Sequence, residues 1–152
     1  MSIRDSIPRV RVAGYVQRDQ SVLLVRHEKG DHSYWLLPGG GVEYGESLEE
    51  ALVREFSEEV SLDVEIGPLL FVNDSIAPDG SRHMIQLAFR VDIDENAVVE
   101  LGIDERVVEA RFVPWEEIQQ LVLRPDLRTE IGELIQNTDE ANLNYLGRRW
   151  LE

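Results

Sequence analysis

The chain contains no cysteine and a single lysine, Lys29, and its 152 residues hold only three tryptophans, four tyrosines and four phenylalanines. Without cysteine there are no disulfides, no thiolate metal sites and no cysteine nucleophile. No apolar run approaches the roughly 20 residues that a membrane-spanning helix needs. The opening MSIRDSIPRV has no apolar core behind its first basic residue, which gives no support to secretion. A cytoplasmic setting with no membrane partner is the expectation. Positive charge is scarce, with 15 Lys and Arg against 30 Asp and Glu and a net charge of −15. Duplex nucleic acid, which is held by stripes of Lys and Arg, is therefore not an expected partner. Divalent cations are, because they can sit between carboxylates and the phosphates of a small anionic substrate.

The length is that of one ordinary domain, and residues 1–152 are read as one. Arg9 to Val16 alternates and Ser21 to Val25 is a short apolar run; the polar QRDQ between them predicts a hairpin. HEKGDH reads as a polar loop, Tyr34 to Leu37 as a short strand, and Pro38 to Gly41 as a break. Ser47 opens a helix with a capping box, since Glu50 stands three residues on, and that helix should run to about Val60. Strand character returns at Leu62 to Val72, interrupted at Gly67-Pro68, at Met84 to Ile93, and at Arg106 to Val113. PWEEIQQLVL and DLRTEIGELIQN read as helices. The C-terminal NLNYLGRRWLE carries no clear pattern. Strands and helices interleave, which makes the class α/β.

The informative stretch is LLPGGGVEYGESLEEALVREFSEEVSLDV, residues 36–64. On a helical wheel of about 100° per residue with Leu48 at zero, Ala51, Leu52, Val53, Phe56 and Val60 share its side, the one turned inward. Glu55 and Glu59 fall at about −20° and +20°, inside the apolar arc, and Glu58 flanks them. A run of glutamates is ordinarily a solvated helix face. A solvated face would have placed these three opposite Leu48, whereas at i, i+3 and i+4 they converge beside the core. Partly buried carboxylates this close cost several kcal/mol unless positive charge compensates. Arg54 offsets one charge at most. A hard divalent ion with oxygen ligands, Mg²⁺ or Mn²⁺, offsets two; zinc is a poor match. The triple glycine before the helix lets backbone approach a ligand, and a carbonyl there can join a metal shell. It lacks the GK[ST] ending of a nucleotide P-loop.

Together these residues resemble the signature of the Nudix (MutT-like) hydrolases, G-x5-E-x7-R-E-U-x-E-E-x-G-U, where U is a bulky apolar residue. Gly40 is followed by Glu46 and then by Arg54-Glu55-Phe56-Ser57-Glu58-Glu59-Val60-Ser61-Leu62, so the match is complete except for Ser61 in place of the last glycine. Serine in a left-handed helix cap costs about 1 kcal/mol and leaves the carboxylates untouched. The resemblance implies an α/β/α sandwich around a mixed sheet and an enzyme that hydrolyses a nucleoside diphosphate joined to a further group, releasing a nucleoside monophosphate. It further implies that Glu55, Glu58, Glu59 and the Gly39 carbonyl hold Mg²⁺ or Mn²⁺, that Arg54 orients the glutamates, and that Glu46 supports that network. The general base in the family comes from the signature helix or from a later loop, where Glu105 is the best-placed residue and Glu100 and Glu109 are rivals.

In ADP-ribose-cleaving members a proline follows the signature, and the sixteenth residue past Leu62 is Pro78, although NDSIAPDGS accommodates a proline as a plain turn former. Arg26 and Arg82 or His83 are possible phosphate contacts, and Trp35 with Tyr34 a possible stacking surface for a base; surface and core placements are the ordinary roles of such residues. Oxidised nucleoside triphosphates form a second substrate class, and a non-catalytic nucleotide-binding regulatory module is the alternative of another kind. The resemblance also admits a homodimer.

Overall fold

The computed structural model describes residues 7–137 and 144–149, so the reading of the opening MSIRDSIPRV falls largely outside them. Among the described residues nine strands and three helices follow in the order β1 (Arg9–Tyr15), β2 (Gln17–Arg18), β3 (Ser21–Lys29), β4 (His32–Leu36), β5 (Gly39–Gly41), α1 (Leu48–Val60), β6 (Glu65–Ile76), β7 (His83–Asp92), β8 (Val107–Pro114), α2 (Trp115–Ile118), α3 (Arg128–Gln136) and β9 (Asn144–Arg148). One mixed sheet runs β5-β1-β7-β6-β9, with β1/β7 and β6/β9 parallel. The second groups β2, β3, β4 and β8, all antiparallel. None of the described helices is long and apolar enough to cross a membrane.

Two apolar clusters form the layers of an α/β/α sandwich. Ala51, Leu52, Phe56 and Val60 of α1 pack with Val12, Val16, Leu23, Val25, Phe89 and Val91 on one side. Ile118, Leu127, Ile131 and Ile135, from α2 and α3 and the residues leading into them, pack with Ala13, Tyr15, Val22, Leu24, Phe71 and Ala88 on the other. Adjacent residues of SVLLV thus enter opposite layers, and for this reason the run is continuously apolar instead of alternating.

Several elements depart from the sequence expectation. β1 does not form the main hairpin with β3: it sits inside the five-stranded sheet between β5 and β7, and only the two residues of β2 pair with β3. HEKGDH is not a loop, since β3 continues to Lys29 and meets β4 around a two-residue turn at Gly30-Asp31. Its ends are exposed, so no apolar pattern marks them. The helix expected from Pro114 stops after one turn, because the chain beyond it pairs with β4: Trp35 N–H donates to Val122 O at 2.8 Å and Arg124 N–H to Trp35 O at 3.1 Å. Gly67-Pro68 interrupts the register of β6 without ending it. The unplaced C-terminus supplies β9.

Candidate active site

The capping box at Ser47 is formed as its spacing predicts: Glu50 N–H donates to Ser47 Oγ at 3.0 Å and Ser47 N–H to Glu50 Oε1 at 3.1 Å. This fixes where α1 starts and therefore which of its side chains turn inward. Glu55 and Glu59 are 5% and 1% exposed, buried on the same face as Leu52 and Phe56.

The glycines are what make room for them. Gly39–Gly41 is not a break but an edge strand paired to Ala13, Val12 and Arg11 of β1. Gly39 has the oxygen of Val12 where a side chain would begin, and Gly40 has the carboxylate of Glu55 there. In an antiparallel pair alternate residues turn their backbone groups away from the partner. Accordingly Gly39 N–H donates to Glu59 Oε1 at 2.7 Å, and Gly41 O accepts from Arg54 Nη2 at 3.1 Å.

Arg54 ties the acidic groups together. Its Nε and Nη2 form a two-pronged bond to Glu46 at 2.8 and 2.9 Å, and Nη1 reaches Glu55 Oε1 at 2.9 Å and Glu58 Oε2 at 3.3 Å. The fork, together with the Glu43 amide, holds the Glu46 carboxyl down at about 2. Burial pushes Glu55 the other way; Arg54 opposes that rise, and Glu59 and Glu58 add to it. Glu58 lies on the Arg54 side of the helix and its side chain stays 35% exposed, so it does not join the buried pair. Among the described residues no three acidic or histidine side chains close on one point as a metal cage. What the site offers a hard cation is oxygen: among the described residues Glu55 Oε2 is buried with no hydrogen-bond partner, and Glu59 Oε2 lies 3.9 Å from His27 Nε2.

A cleft of about 680 Å³ opens along Gly39–Gly41, between the β3–β4 hairpin and the turn joining β6 to β7. The family model for the NUDIX domain matches residues 7–137, which include every residue described so far in this site. The chain belongs to the Nudix family. It is 34% identical over 115 residues to a protein named ADP-ribose pyrophosphatase of Methanocaldococcus jannaschii, covering 75% of this chain and 66% of that one. To the NAD-capped RNA hydrolase NudC of Photorhabdus laumondii it is 32% identical over 123 residues, 81% of this chain and 44% of that one. The chain thus spans two-thirds or less of the length of these relatives. A NUDIX hydrolase from Nitrosomonas europaea superposes with a TM-score of 0.73 at 22% identity, over 88% of this chain and 92% of the other, and shares the fold.

In this Nudix cleft Pro78 and Arg82 stand on the wall, whereas Arg26 and Trp35 do not line it. Arg26 is engaged with Glu28, Ser33 and Glu109, and Trp35 is buried in the core against α2 and α3. Strand alternation decides this, because Tyr34 and His27 then face the cleft. Tyr34 meets the His27 ring edge-on at 5.7 Å, with the Arg124 guanidinium 5.0 Å from its centroid. Glu105 is exposed just before β8, and its neighbour Arg106 lines the cleft. Glu109 is bonded to Arg26 and Arg111, and neither it nor Glu105 lines the cleft.

Sequence reasoning missed Arg11, His27 and Arg106. Arg11 is 8% exposed, donates to Leu37 O at 2.9 Å, and lies in the field of Glu59 and Glu55; burial lowers its pKa against that field. The available signal was an arginine two residues after Arg9, at the point where the strand turns wholly apolar. His27 follows an irregularity in the β3/β8 pairing, a feature that re-aims side chains and leaves little trace in sequence. Arg106 is fixed by three bonds to Asp104, whose amide in turn donates to the last turn of α1.

Proposed function

We propose that this Nudix chain hydrolyses the pyrophosphate linkage of a nucleoside diphosphate derivative, with an ADP-ribose-like compound as its substrate and a nucleoside monophosphate as one product. The observation that carries the reading is the Oε2 of Glu55, buried and without a partner among the described residues, beside the nearly inaccessible Glu59, both packed behind the Gly39–Gly41 strand that edges the cleft. An anionic oxygen in that position calls for a cation. Mg²⁺ or Mn²⁺ held by Glu55, Glu58, Glu59 and the Gly39 carbonyl would supply charge neutralisation on the pyrophosphate and a more acidic water.

The chain's own residues do the positioning. Gly39 N–H and Arg54 aim Glu59 and Glu55, and Glu46 keeps Arg54 in place. Arg11, Lys29, Arg82, Arg106 and Arg124 line the cleft of a protein with net charge −15, including its one lysine, so positive charge is concentrated where phosphates enter. Glu105 is assigned as the general base that takes the water proton while the P–O bond to the second phosphate breaks. Support for an ADP-ribose-like substrate comes from Pro78 on the cleft wall and from the relative named ADP-ribose pyrophosphatase.

Chromatography of products from ADP-ribose, nucleoside diphosphate sugars and oxidised and ordinary nucleoside triphosphates, with Mg²⁺ and with Mn²⁺, tests this. Nucleoside monophosphate should appear from ADP-ribose, and Glu59→Gln should reduce its release on the order of 10³-fold with an unchanged circular dichroism spectrum. Turnover confined to triphosphates would replace the substrate class. Wild-type silence across the panel, with nucleotide still bound, would make the chain a binding module.

A further inference from the structure

The face of the five-stranded sheet turned away from α1 changes character along its length. Ala13, Ala88 and Phe71 lie in one row across β1, β7 and β6 and belong to the core. Two residues along, the next row is Arg11, Gln86 and Asn73, with Ser75 diagonally beyond. All four are buried, at 8%, 3%, 0% and 5% exposure. Polar groups in such a place cost stability unless they are paired.

Their pairing has a direction. Gln86 Nε2 donates to Asn73 Oδ1 at 2.9 Å, and Asn73 Nδ2 donates to Ser75 Oγ at 3.2 Å. Arg11, which has only donors, stands beside Gln86 on β1 and spends its bond on Leu37 O instead of on the Gln86 amide. The chain therefore ends with two capacities unspent: the acceptor Oε1 of Gln86 and the hydroxyl proton of Ser75. Among the described residues no side-chain bond uses either one. Here Arg11, Gln86 and Ser75 all line the cleft, and only Asn73, in the middle, does not.

We propose that this row is the specificity floor of the cleft, where Gln86 and Ser75 read the edge of a purine base remote from the pyrophosphate. An uncharged acceptor at one end of the row and an uncharged donor at the other suit a neutral heteroaromatic edge, whereas a phosphate would be repelled by the Gln86 oxygen. The polarity selects adenine, whose amino group donates to Gln86 Oε1 while a ring nitrogen accepts from Ser75. Hypoxanthine presents a carbonyl in place of that amino group and leaves the Gln86 acceptor facing another acceptor. The assignment rests on the proposed nucleotide substrate, but binding can be read without hydrolysis.

Calorimetric titration with AMP and with IMP, on wild type, Ser75→Ala and Gln86→Met, separates the two claims. Wild type should bind AMP about tenfold tighter than IMP, the worth of one well-placed hydrogen bond, and both variants should bring that ratio close to one. If ADP-ribose is turned over, the variants should raise KM more than they lower kcat. Equal affinity for AMP and IMP in wild type overturns the proposal, as does a ratio that survives Ser75→Ala, the smaller of the two changes, in protein with an unaltered melting curve. Adenine preference that depends on Ser75 in a protein that hydrolyses nothing would leave the floor standing and remove the hydrolytic reading.

Discussion

A methyl group at Gly40 would stand 2.3 Å from Cδ of Glu55, well inside contact distance. The middle glycine of the triplet and the first buried carboxylate of the helix therefore occupy complementary space. Gly40→Ala should push the Glu55 carboxylate out of its seat. A displacement of about 1 Å at a reacting centre costs on the order of 10²-fold in rate. Steady-state hydrolysis of ADP-ribose should fall by that factor, with the far-ultraviolet spectrum unchanged; full activity in Gly40→Ala would mean that the Glu55 position is irrelevant to turnover.

The Arg54 fork makes Glu46 a source of acid sensitivity. Its carboxyl titrates at about 2 in the folded chain against an ordinary 4.5, so below 4.5 the unfolded chain takes up the proton first. The stabilisation is complete above pH 4.5 and is lost as pH falls from there toward 2. Urea unfolding followed by tryptophan fluorescence at pH 6 and pH 3 should show Glu46→Gln less stable at pH 6 and with a smaller drop between the two. An identical drop in both proteins would place the acid sensitivity elsewhere.

Ser61 ends α1 in the left-handed conformation, φ 57° and ψ 38°, and its N–H donates to Phe56 O. Here the family signature has glycine. Ser61→Gly should raise stability by about 1 kcal/mol, and Ser61→Val should lower it by more, because a β-branched residue resists that conformation. Chemical denaturation of the three proteins decides it; a destabilised Ser61→Gly would show that the serine side chain contributes something of its own.

Beyond that cap, the N–H groups of Glu100, Gly102 and Asp104 donate to the carbonyls of Val60, Glu59 and Glu58 at 3.2, 3.1 and 3.1 Å. Gly102 allows the approach, since a Cβ there would meet Glu58 O at 2.1 Å. Gly102→Ala should loosen this seam, costing about 1–3 kcal/mol, and should raise amide exchange at Gly102 and Asp104 more than in β7. Exchange that stays slow at both amides would show the seam to be unnecessary.

What was legible beforehand depended on short-range physics. The spacing of Ser47 and Glu50, the placement of Glu55 and Glu59 within the apolar arc, and the left-handed demand at residue 61 are all set within a few turns of one helix, and each stands in the structure. Where a contact crossed the chain, local pattern misled. PWEEIQQLVL has a helical pattern that pairing with Trp35 overrides, and β1 exchanges its expected partner for β7, more than 70 residues away.

The sequence by itself determined the family, the inward-facing carboxylates and their arginine, because those depend on helical periodicity and on an ungapped 23-residue motif. Only the tertiary structure decided that Tyr34, not Trp35, faces the cleft and that Arg11, Gln86 and Ser75 line it. Strand parity becomes a choice of face only when neighbouring strands and their register are in place, and those neighbours come from distant parts of the chain.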